Sequence, residues 1–161
     1  MNGMMQELDR KFMEVAINEA KKSKARGDYA FGAAVAYGAE LLAMGGNRVR
    51  TKNDSTKHVE LEVIQYAVGQ RMERYLTGCT LYTTCEPCLM CLGAAHWAGI
   101  ARVVYGISQD DLAEHGKTHS TSAFRYRPSP ISSRELIRQC PDTIHITLQQ
   151  LMRDECIAIL G

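Results

Sequence analysis

The chain has 161 residues, a length that fits one compact domain, and we treat residues 1–161 as a single domain with one hydrophobic core. Hydrophobic residues make up 45% of the sequence and charged residues 23%, which is typical of a globular protein and excludes a disordered or fibrous one. The formal net charge of +1 gives no overall basic field, which argues against nucleic-acid binding. The sequence predicts neither a secretion signal nor a membrane-spanning segment, so we expect a cytoplasmic protein.

Hydrophobic periodicity predicts helices and strands that alternate along the chain. Apolar residues three and four apart mark the helices, and β-branched or alternating residues mark the strands. The predicted helices cover residues 5–26, 58–72, 87–97, 132–139 and 148–160. The predicted strands cover residues 31–37, 41–44, 79–84, 102–107 and 143–147. The polar stretch 108–130 is predicted to be a long loop that can form a lid or a binding loop. This order predicts an α/β sandwich with helices around one sheet.

Four side chains suited to metal chemistry stand near the starts of two predicted helices. Cys88 and Cys91 are three residues apart, so both sulfurs can project from the first turn of one helix, where the helix dipole favours thiolates. His58 begins another helix and can add a neutral nitrogen. These three ligands would leave a fourth tetrahedral position open, as catalytic zinc sites do. Glu60 can then move protons without binding the metal.

The predicted helix that begins at His58 follows a polar run. Within that run, Asp54, Ser55 and Thr56 offer side-chain oxygens that can cap the helix. His58 and Glu60, two residues apart, project from different sides of this helix, so the metal is expected to lie off the helix end.

Other interpretations of the cysteines predict different sites. Alone, Cys88 and Cys91 also fit core thiols, a redox pair or half of a structural zinc site, and only the combination with His58 and Glu60 favours catalytic zinc. Together with Cys85 they resemble the start of an iron–sulfur run, which would leave the histidine and the glutamate without a role. A closed zinc module would need a fourth protein ligand. The candidates for it are Cys85, His96 and His119.

Several short motifs resemble those of one enzyme family. They are Phe31-Gly32-Ala33, Asn47, His58-Val59-Glu60 and Thr84-Cys85-Glu86-Pro87-Cys88-Leu89-Met90-Cys91. The family is the cytidine and deoxycytidylate deaminase superfamily, and the resemblance covers roughly residues 12–116. Val59 stands where alanine is usual. The resemblance implies a three-layer α/β/α sandwich with a central mixed five-stranded sheet, one zinc ion per subunit and a homodimer. It also implies hydrolytic release of ammonia from a nucleobase or nucleoside, with Glu60 as the catalytic acid and base.

The segment 105–116 resembles guanine and guanosine deaminases, in which acidic residues face the purine. Asp111 best matches that aspartate and Glu114 is a second candidate, because one carboxylate can accept two adjacent donors of guanine. The same residues also fit a solvated acidic turn. The resemblance further implies that Asn47 contacts the substrate; Phe31 can stack on the base or lie in the core. The carbonyl of Glu86 is a third candidate contact to the substrate, at its reacting group.

Two other substrates stay open at this point. Asn47-Arg48 and residues 102–106 also resemble the tRNA adenosine deaminase branch, which would need a basic groove for RNA and a flipped base. The third substrate class is a cytosine, triazine or pterin. We therefore predict a guanine-type small molecule as the substrate and keep these two alternatives.

Overall fold

A central sheet of five strands organises this chain, whose computed structural model describes residues 2–161. The strands are β1 (Gly32–Tyr37), β2 (Glu40–Gly46), β3 (Cys79–Cys85), β4 (Arg102–Ile107) and β5 (Thr147–Gln150). They lie in the order β2-β1-β3-β4-β5. The pairs β1–β2 and β1–β3 are antiparallel, whereas β3–β4 and β4–β5 are parallel. The mixed five-stranded sheet is therefore confirmed. Met1, which the one-domain prediction includes, lies outside the described residues.

Within residues 2–161, six helices flank this sheet. They are α1 (Asn2–Ala25), α2 (Val59–Arg71), α3 (Leu89–Trp97), α4 (Gln109–His119), α5 (Ser133–Gln139) and α6 (Arg153–Leu160). In this part of the chain no helix is both long enough and apolar enough to cross a bilayer.

Alternate residues of the strands face two separate helix layers. Ala34 and Tyr82 pack into a core with α1 and α6, while Ala33 and Leu81 pack into a second core with α2 and α3. A sheet covered on both faces needs apolar residues on both faces, which explains why β1, β3 and β4 are buried almost throughout. The predicted α/β/α arrangement is confirmed.

The prediction of a loop over 108–130 is wrong for its first half, which forms α4. Ser108 accepts a hydrogen bond from the Asp111 backbone N–H, and the Asp111 carboxylate accepts one from the Ser108 N–H, so the two residues form a capping box. Hydrophobic periodicity could not find this helix because it buries few apolar side chains, chiefly Leu112. The cap is therefore the stronger signal for its start.

The last strand and helix also lie later in the chain than predicted. β5 occupies Thr147–Gln150 instead of 143–147, and α6 begins at Arg153 instead of 148. β5 is an edge strand that is not fully buried, so its two glutamines break the apolar alternation on which the prediction relied.

We predict that Gly32→Ala strongly destabilises the fold. A Cβ at this position would overlap the backbone carbonyl of Ala16 and the amide nitrogen of Ala20 in α1, and backbone atoms cannot move aside as side chains do. The free energy of unfolding should fall by about 3 kcal/mol, the upper end for an overpacked core, as measured by urea denaturation. Gly69→Ala in α2 is the matched control, because its Cβ would meet open space. That variant should gain up to about 1 kcal/mol, and similar losses in both variants would contradict the prediction.

Candidate active site

His58, Cys88 and Cys91 meet where α2 and α3 begin. His58 is the N-cap residue of α2, Cys88 is the N-cap residue of α3, and Cys91 lies in the first turn of α3. The Nδ1 atom of His58 lies 3.6 Å from the sulfur of Cys88 and 3.6 Å from that of Cys91. The ligand atoms of the three residues all lie within 4.8 Å of one another. The structure thus brings together the three side chains that the sequence predicted as metal ligands.

These distances fit a tetrahedral zinc site. Zinc lies about 2.3 Å from a cysteine sulfur and about 2.1 Å from a histidine nitrogen, which places nitrogen and sulfur about 3.6 Å apart along a tetrahedral edge. The observed separations match this edge, so the cluster can hold one zinc ion and leave a fourth position open. Within residues 2–161, none of the candidate fourth ligands belongs to the cluster. Those candidates were Cys85, His96 and His119.

Neither N-cap residue caps its own helix with its side chain. His58 and Cys88 occupy the N-cap positions without a capping hydrogen bond from their side chains. The prediction that residues 54–56 cap α2 is wrong, because Asp54 instead accepts hydrogen bonds from the backbone N–H and the hydroxyl of Thr56. At the start of α3 the Leu89 N–H instead donates to the Ser129 hydroxyl oxygen. The helix dipoles at both starts favour negative charge, which suits thiolate ligands.

The two ligand thiols have pKa values shifted in opposite directions because their side chains contact each other. A hydrogen bond from Cys91, followed by one from His58, lowers the pKa of Cys88 to about 4. The same hydrogen bond, together with burial, raises the pKa of Cys91 above its ordinary value. Cys88 is therefore the more acidic of the two thiols. A divalent cation would displace the protons that the ligands still carry, so metal binding releases protons here.

Glu60 lies buried beside the cluster and outside its ligand set. One carboxylate oxygen, Oε2, lies 3.6 Å from the Cys91 sulfur, and the other accepts a hydrogen bond from the Thr83 hydroxyl at 2.9 Å. Burial raises the pKa of Glu60 above that of an ordinary carboxyl group. A carboxyl group with a raised pKa can both accept and donate a proton near neutral pH.

Thr83 is a site residue that sequence reasoning missed. It is fully buried on β3, and its hydroxyl lies 2.9 Å from Glu60 Oε1 and 3.0 Å from the carbonyl oxygen of Cys85. Its neighbour Thr84 points to the opposite face of the sheet, where its hydroxyl accepts a hydrogen bond from the Gly32 N–H at 3.1 Å. The signal in the sequence was a pair of polar residues at the end of an otherwise apolar strand.

The cluster opens into a cavity of about 390 Å³. Phe31 and Asn47, both predicted to contact the substrate, line it together with Tyr29. The side-chain oxygen of Asn47 accepts a hydrogen bond from the Val49 N–H at 3.0 Å. Its amide NH₂ group makes no hydrogen bond within the described residues and is therefore free to donate to a bound molecule.

Glu86 also borders the cavity, but its polar atoms already have partners. The carboxylate accepts hydrogen bonds from the backbone N–H of Ser133 at 2.7 Å and of Gln109 at 2.9 Å, and the Glu86 carbonyl accepts one from the Gln109 side chain at 2.6 Å. Glu86 thereby connects the starts of α4 and α5 to the metal site. A substrate contact through its carbonyl remains a prediction, and any such contact would share that oxygen with Gln109.

The two carboxylates assigned to guanine by resemblance lie outside the lining of the cavity. Asp111 accepts hydrogen bonds from the Ser108 N–H at 2.9 Å and from the Arg153 guanidinium at 3.0 Å, and the bond to Arg153 lowers its pKa. Glu114 is exposed and pairs with Lys117. These contacts hold Asp111 to α4 and α6, so they give no support to its predicted role in binding the purine.

Residues 124–130 are here called the strap, and residues 125–130 of it border the cavity as its roof. Near one end, the Tyr29 hydroxyl accepts a hydrogen bond from the Arg125 N–H at 2.8 Å and donates one to the Arg125 carbonyl at 3.2 Å. At the other end, the Ser129 N–H donates to the side-chain oxygen of Gln109 at 2.7 Å. The strap is therefore fastened on both sides of the cavity. This is the segment that the sequence predicted as a lid or binding loop.

The family model for the cytidine and deoxycytidylate deaminase zinc-binding region matches residues 6–107. Together with the α/β/α fold and the His-Cys-Cys cluster, this match shows that the chain belongs to the cytidine and deoxycytidylate deaminase family. The predicted family is confirmed.

The relatives that match this chain are named for two different deaminase activities. The chain is 43% identical over 86 residues to the guanine deaminase of Bacillus subtilis (strain 168), a match that covers 53% of this chain and 55% of that protein. It is 40% identical over 95 residues to the tRNA-specific adenosine deaminase of Agrobacterium fabrum, covering 59% and 62% of the two chains. Both matches span less than two thirds of the relative. A tRNA-specific adenosine deaminase of Buchnera aphidicola (subsp. Schizaphis graminum) is 30% identical over 154 residues, covering 95% and 91%.

Solved structures similar to this chain also come from both the guanine deaminase and the tRNA deaminase branches. The structure of the guanine deaminase from Nitrosomonas europaea is similar with a TM-score of 0.77 at 27% identity, and the match covers 92% of this chain and 80% of that one. A structure from a study of A-to-I editing by tRNA:A34 deaminases is similar with a TM-score of 0.72 at 29% identity, covering 94% and 99%. The fold therefore agrees with the family, and neither branch is excluded.

We predict that Cys88→Ser and Cys91→Ser each lower zinc affinity by more than about 100-fold, because loss of a ligand should cost more than loss of a residue that only orients one. The measurement is zinc content by mass spectrometry, followed by titration against a chromophoric chelator. Cys140→Ser, a half-buried cysteine outside the cluster, is the control and should keep its zinc. Unchanged zinc in the Cys91 variant would rule out the proposed ligand set.

Proposed function

We propose that this protein is a zinc-dependent hydrolytic deaminase that releases ammonia from a guanine-type purine, supplied as a base or as part of a nucleoside. One arrangement carries the proposal: the buried Glu60 carboxylate lies beside a cluster of three metal ligands at the floor of a roofed cavity. A closed structural zinc site has no need of either the cavity or the carboxylate. Similarity to guanine deaminases in sequence and in fold supports the purine.

The proton transfers in this reaction fall to Glu60. When bound, zinc supplies a Lewis acid that lowers the pKa of water in the site toward neutrality. Glu60 accepts a proton from the attacking water, whose oxygen forms a bond to the carbon that carries the amino group. Glu60 passes that proton to the adjacent ring nitrogen. It then transfers the second water proton to the amine, which leaves as ammonia when the C–N bond breaks. The product carries a carbonyl group in place of the amine.

The walls of the cavity provide groups that can orient a purine. Tyr29 and Phe31 are nearly parallel, with an angle of 6° between the rings and 6.1 Å between their centroids, and both border the cavity. A flat heterocycle packs well against such aromatic surfaces. The free NH₂ group of Asn47 can donate to a ring nitrogen or a carbonyl oxygen of the base. The strap above excludes bulk water from the reacting carbon.

We predict that Glu60→Gln lowers ammonia release by at least about 100-fold, because general acid–base catalysis contributes this much or more. Zinc content should stay unchanged, since Glu60 is not a ligand. The assay measures ammonia from the zinc-loaded protein with guanine, guanosine, adenine, cytosine, a triazine and a pterin. Turnover of guanine or guanosine above the others supports the purine assignment, whereas unaltered activity in the variant removes Glu60 from the mechanism.

We predict that Thr83→Val lowers kcat about tenfold to hundredfold, the usual cost of losing a hydrogen bond to a charged group, with little change in KM. The hydroxyl fixes one carboxylate oxygen of Glu60, and valine has the same shape without that donor. Thr83→Ser restores the donor and should recover most of kcat. Thr84→Val removes the neighbouring hydroxyl on the other face of the sheet and should leave kcat close to that of the wild type. Equal losses in the two valine variants would show that Thr83 acts only through stability.

A tRNA adenosine deaminase is the second candidate function. This candidate is supported by matches that span almost the whole of the related proteins. The match covers 91% of the Buchnera relative and 99% of the chain in the structure from the tRNA editing study. An RNA stem-loop with a single adenosine in a seven-base loop tests it directly. Conversion of that adenosine to inosine, without turnover of free purines, would replace the guanine assignment with this one.

A further inference from the structure

The exposed charges that line the cavity belong to two arginines of the strap. Arg125 and Arg127 both border the cavity and are exposed. The other charged residues in the lining, Glu60 and Glu86, are buried, and both carboxylates accept hydrogen bonds from neighbouring groups. The mouth of the cavity is therefore positive, although the whole chain has a net charge of only +1.

Neither arginine is neutralised within the described part of the chain. The ion pairs among residues 2–161 involve other arginines and lysines and none includes Arg125 or Arg127. By contrast, Arg153, which lies outside the cavity lining, pairs with Asp111. Two guanidinium groups that remain unpaired beside a cavity are available to a ligand.

The strap backbone is anchored beside the two arginines. Phe124 and Tyr126 pack edge-on against Tyr29, with centroids 5.2 and 5.5 Å away, and their own rings are nearly parallel at 14°. The Tyr29 hydroxyl also bonds to the backbone N–H and carbonyl of Arg125. These contacts hold the stretch that carries Arg125 and Arg127 at the border of the cavity.

A third cation lies at the same end of the strap. The guanidinium carbon of Arg50 lies 4.3 Å from the centroid of the Phe124 ring. Arg50 belongs to the polar segment between β2 and α2, whose Val49 and Ser55 also line the cavity. Arg50 itself lies outside the cavity lining; its guanidinium packs on Phe124 and donates to the Gly27 carbonyl, so it supports the strap from outside.

We propose that the mouth of the cavity binds the phosphate of a nucleotide, with the base directed toward the His58–Cys88–Cys91 cluster and the phosphate held by Arg125 and Arg127. The inference rests on the proposed deaminase function and narrows its substrate from a free purine to a phosphate ester of a purine nucleoside. Guanidinium groups bind phosphate through paired hydrogen bonds between opposite charges. A free guanine can accept two hydrogen bonds at O6 and N7, but it carries no negative charge, so the phosphate ester gains an ionic attraction that the base alone does not. Ser129 adds a hydroxyl at the same roof, whose oxygen accepts a hydrogen bond from the Leu89 N–H.

The first test compares guanosine with guanosine 5′-monophosphate, which differ only in the phosphate. We expect kcat/KM for the monophosphate to exceed that for guanosine, and the ratio to fall about tenfold to hundredfold in the Arg125→Gln/Arg127→Gln double variant. Added salt should lower the same ratio, because exposed charges are screened. Arg138→Gln, an exposed arginine of α5 outside the cavity lining, should keep the wild-type ratio. A ratio that the double variant leaves unchanged overturns the proposal.

The second test measures binding without turnover. Equilibrium dialysis of the zinc-loaded Glu60→Gln protein gives the affinities for guanosine and its monophosphate, with and without the two arginine substitutions. Tighter binding of the monophosphate that depends on the arginines supports the phosphate site even if no ammonia is released, so this outcome separates it from the deaminase proposal. Equal affinities for both ligands overturn the phosphate site while leaving the deaminase proposal intact.

A phosphate of this kind also occurs in an RNA backbone, and a third arm separates the two sources. The RNA stem-loop competes with guanosine 5′-monophosphate for the Glu60→Gln protein, in the presence and absence of the double substitution. Tight, arginine-dependent binding of RNA with weak binding of the monophosphate assigns the phosphate to RNA. The reverse order assigns it to a mononucleotide, and arginine-independent binding of both contradicts the site.

Discussion

The buried carboxylate of Glu86 connects the metal cluster to the second half of the chain. It lies two residues before Cys88, and its two oxygens accept the backbone N–H groups at the starts of α4 and α5. A buried carboxylate without such partners would be costly, so the starts of both helices are held beside the site. The roof depends on this link because the strap lies between those helices and is fastened to Gln109. Floor and roof are thus parts of one hydrogen-bonded structure.

The metal site gains its chemistry from two helix starts whose N-cap side chains do not cap. His58 and Cys88 occupy positions where serine or aspartate would ordinarily satisfy backbone N–H groups. Their side chains instead lie close to each other and to Cys91. Both N-cap side chains therefore give up capping, as residues at functional sites often give up a local preference. At α3 the Ser129 hydroxyl accepts the Leu89 N–H in place of the N-cap side chain.

Much of the fold and the metal ligands could be predicted from sequence because their signals are local or strongly patterned. Cys88 and Cys91 are three apart, and β3 and β4 are apolar runs, so short stretches identify them. The wall and roof of the cavity could not be predicted in this way. Tyr29 contacts Arg125, 96 residues away, and Thr83 contacts Glu60 across two elements, so only the tertiary structure joins them. The sequence around Asp111 resembles that of guanine deaminases, but the position of its carboxylate depends on a hydrogen bond from Arg153, which lies 42 residues later in the chain.

The strap makes the shape of the cavity depend on contacts between distant parts of the chain. The floor, the aromatic wall and the roof come from residues between 29 and 130. Two sets of hydrogen bonds, at Arg125 and Ser129, hold the roof to the rest of that stretch. The enclosed volume therefore exists only once residues nearly a hundred positions apart have met, so the cavity is a product of the completed fold and not of any one local element.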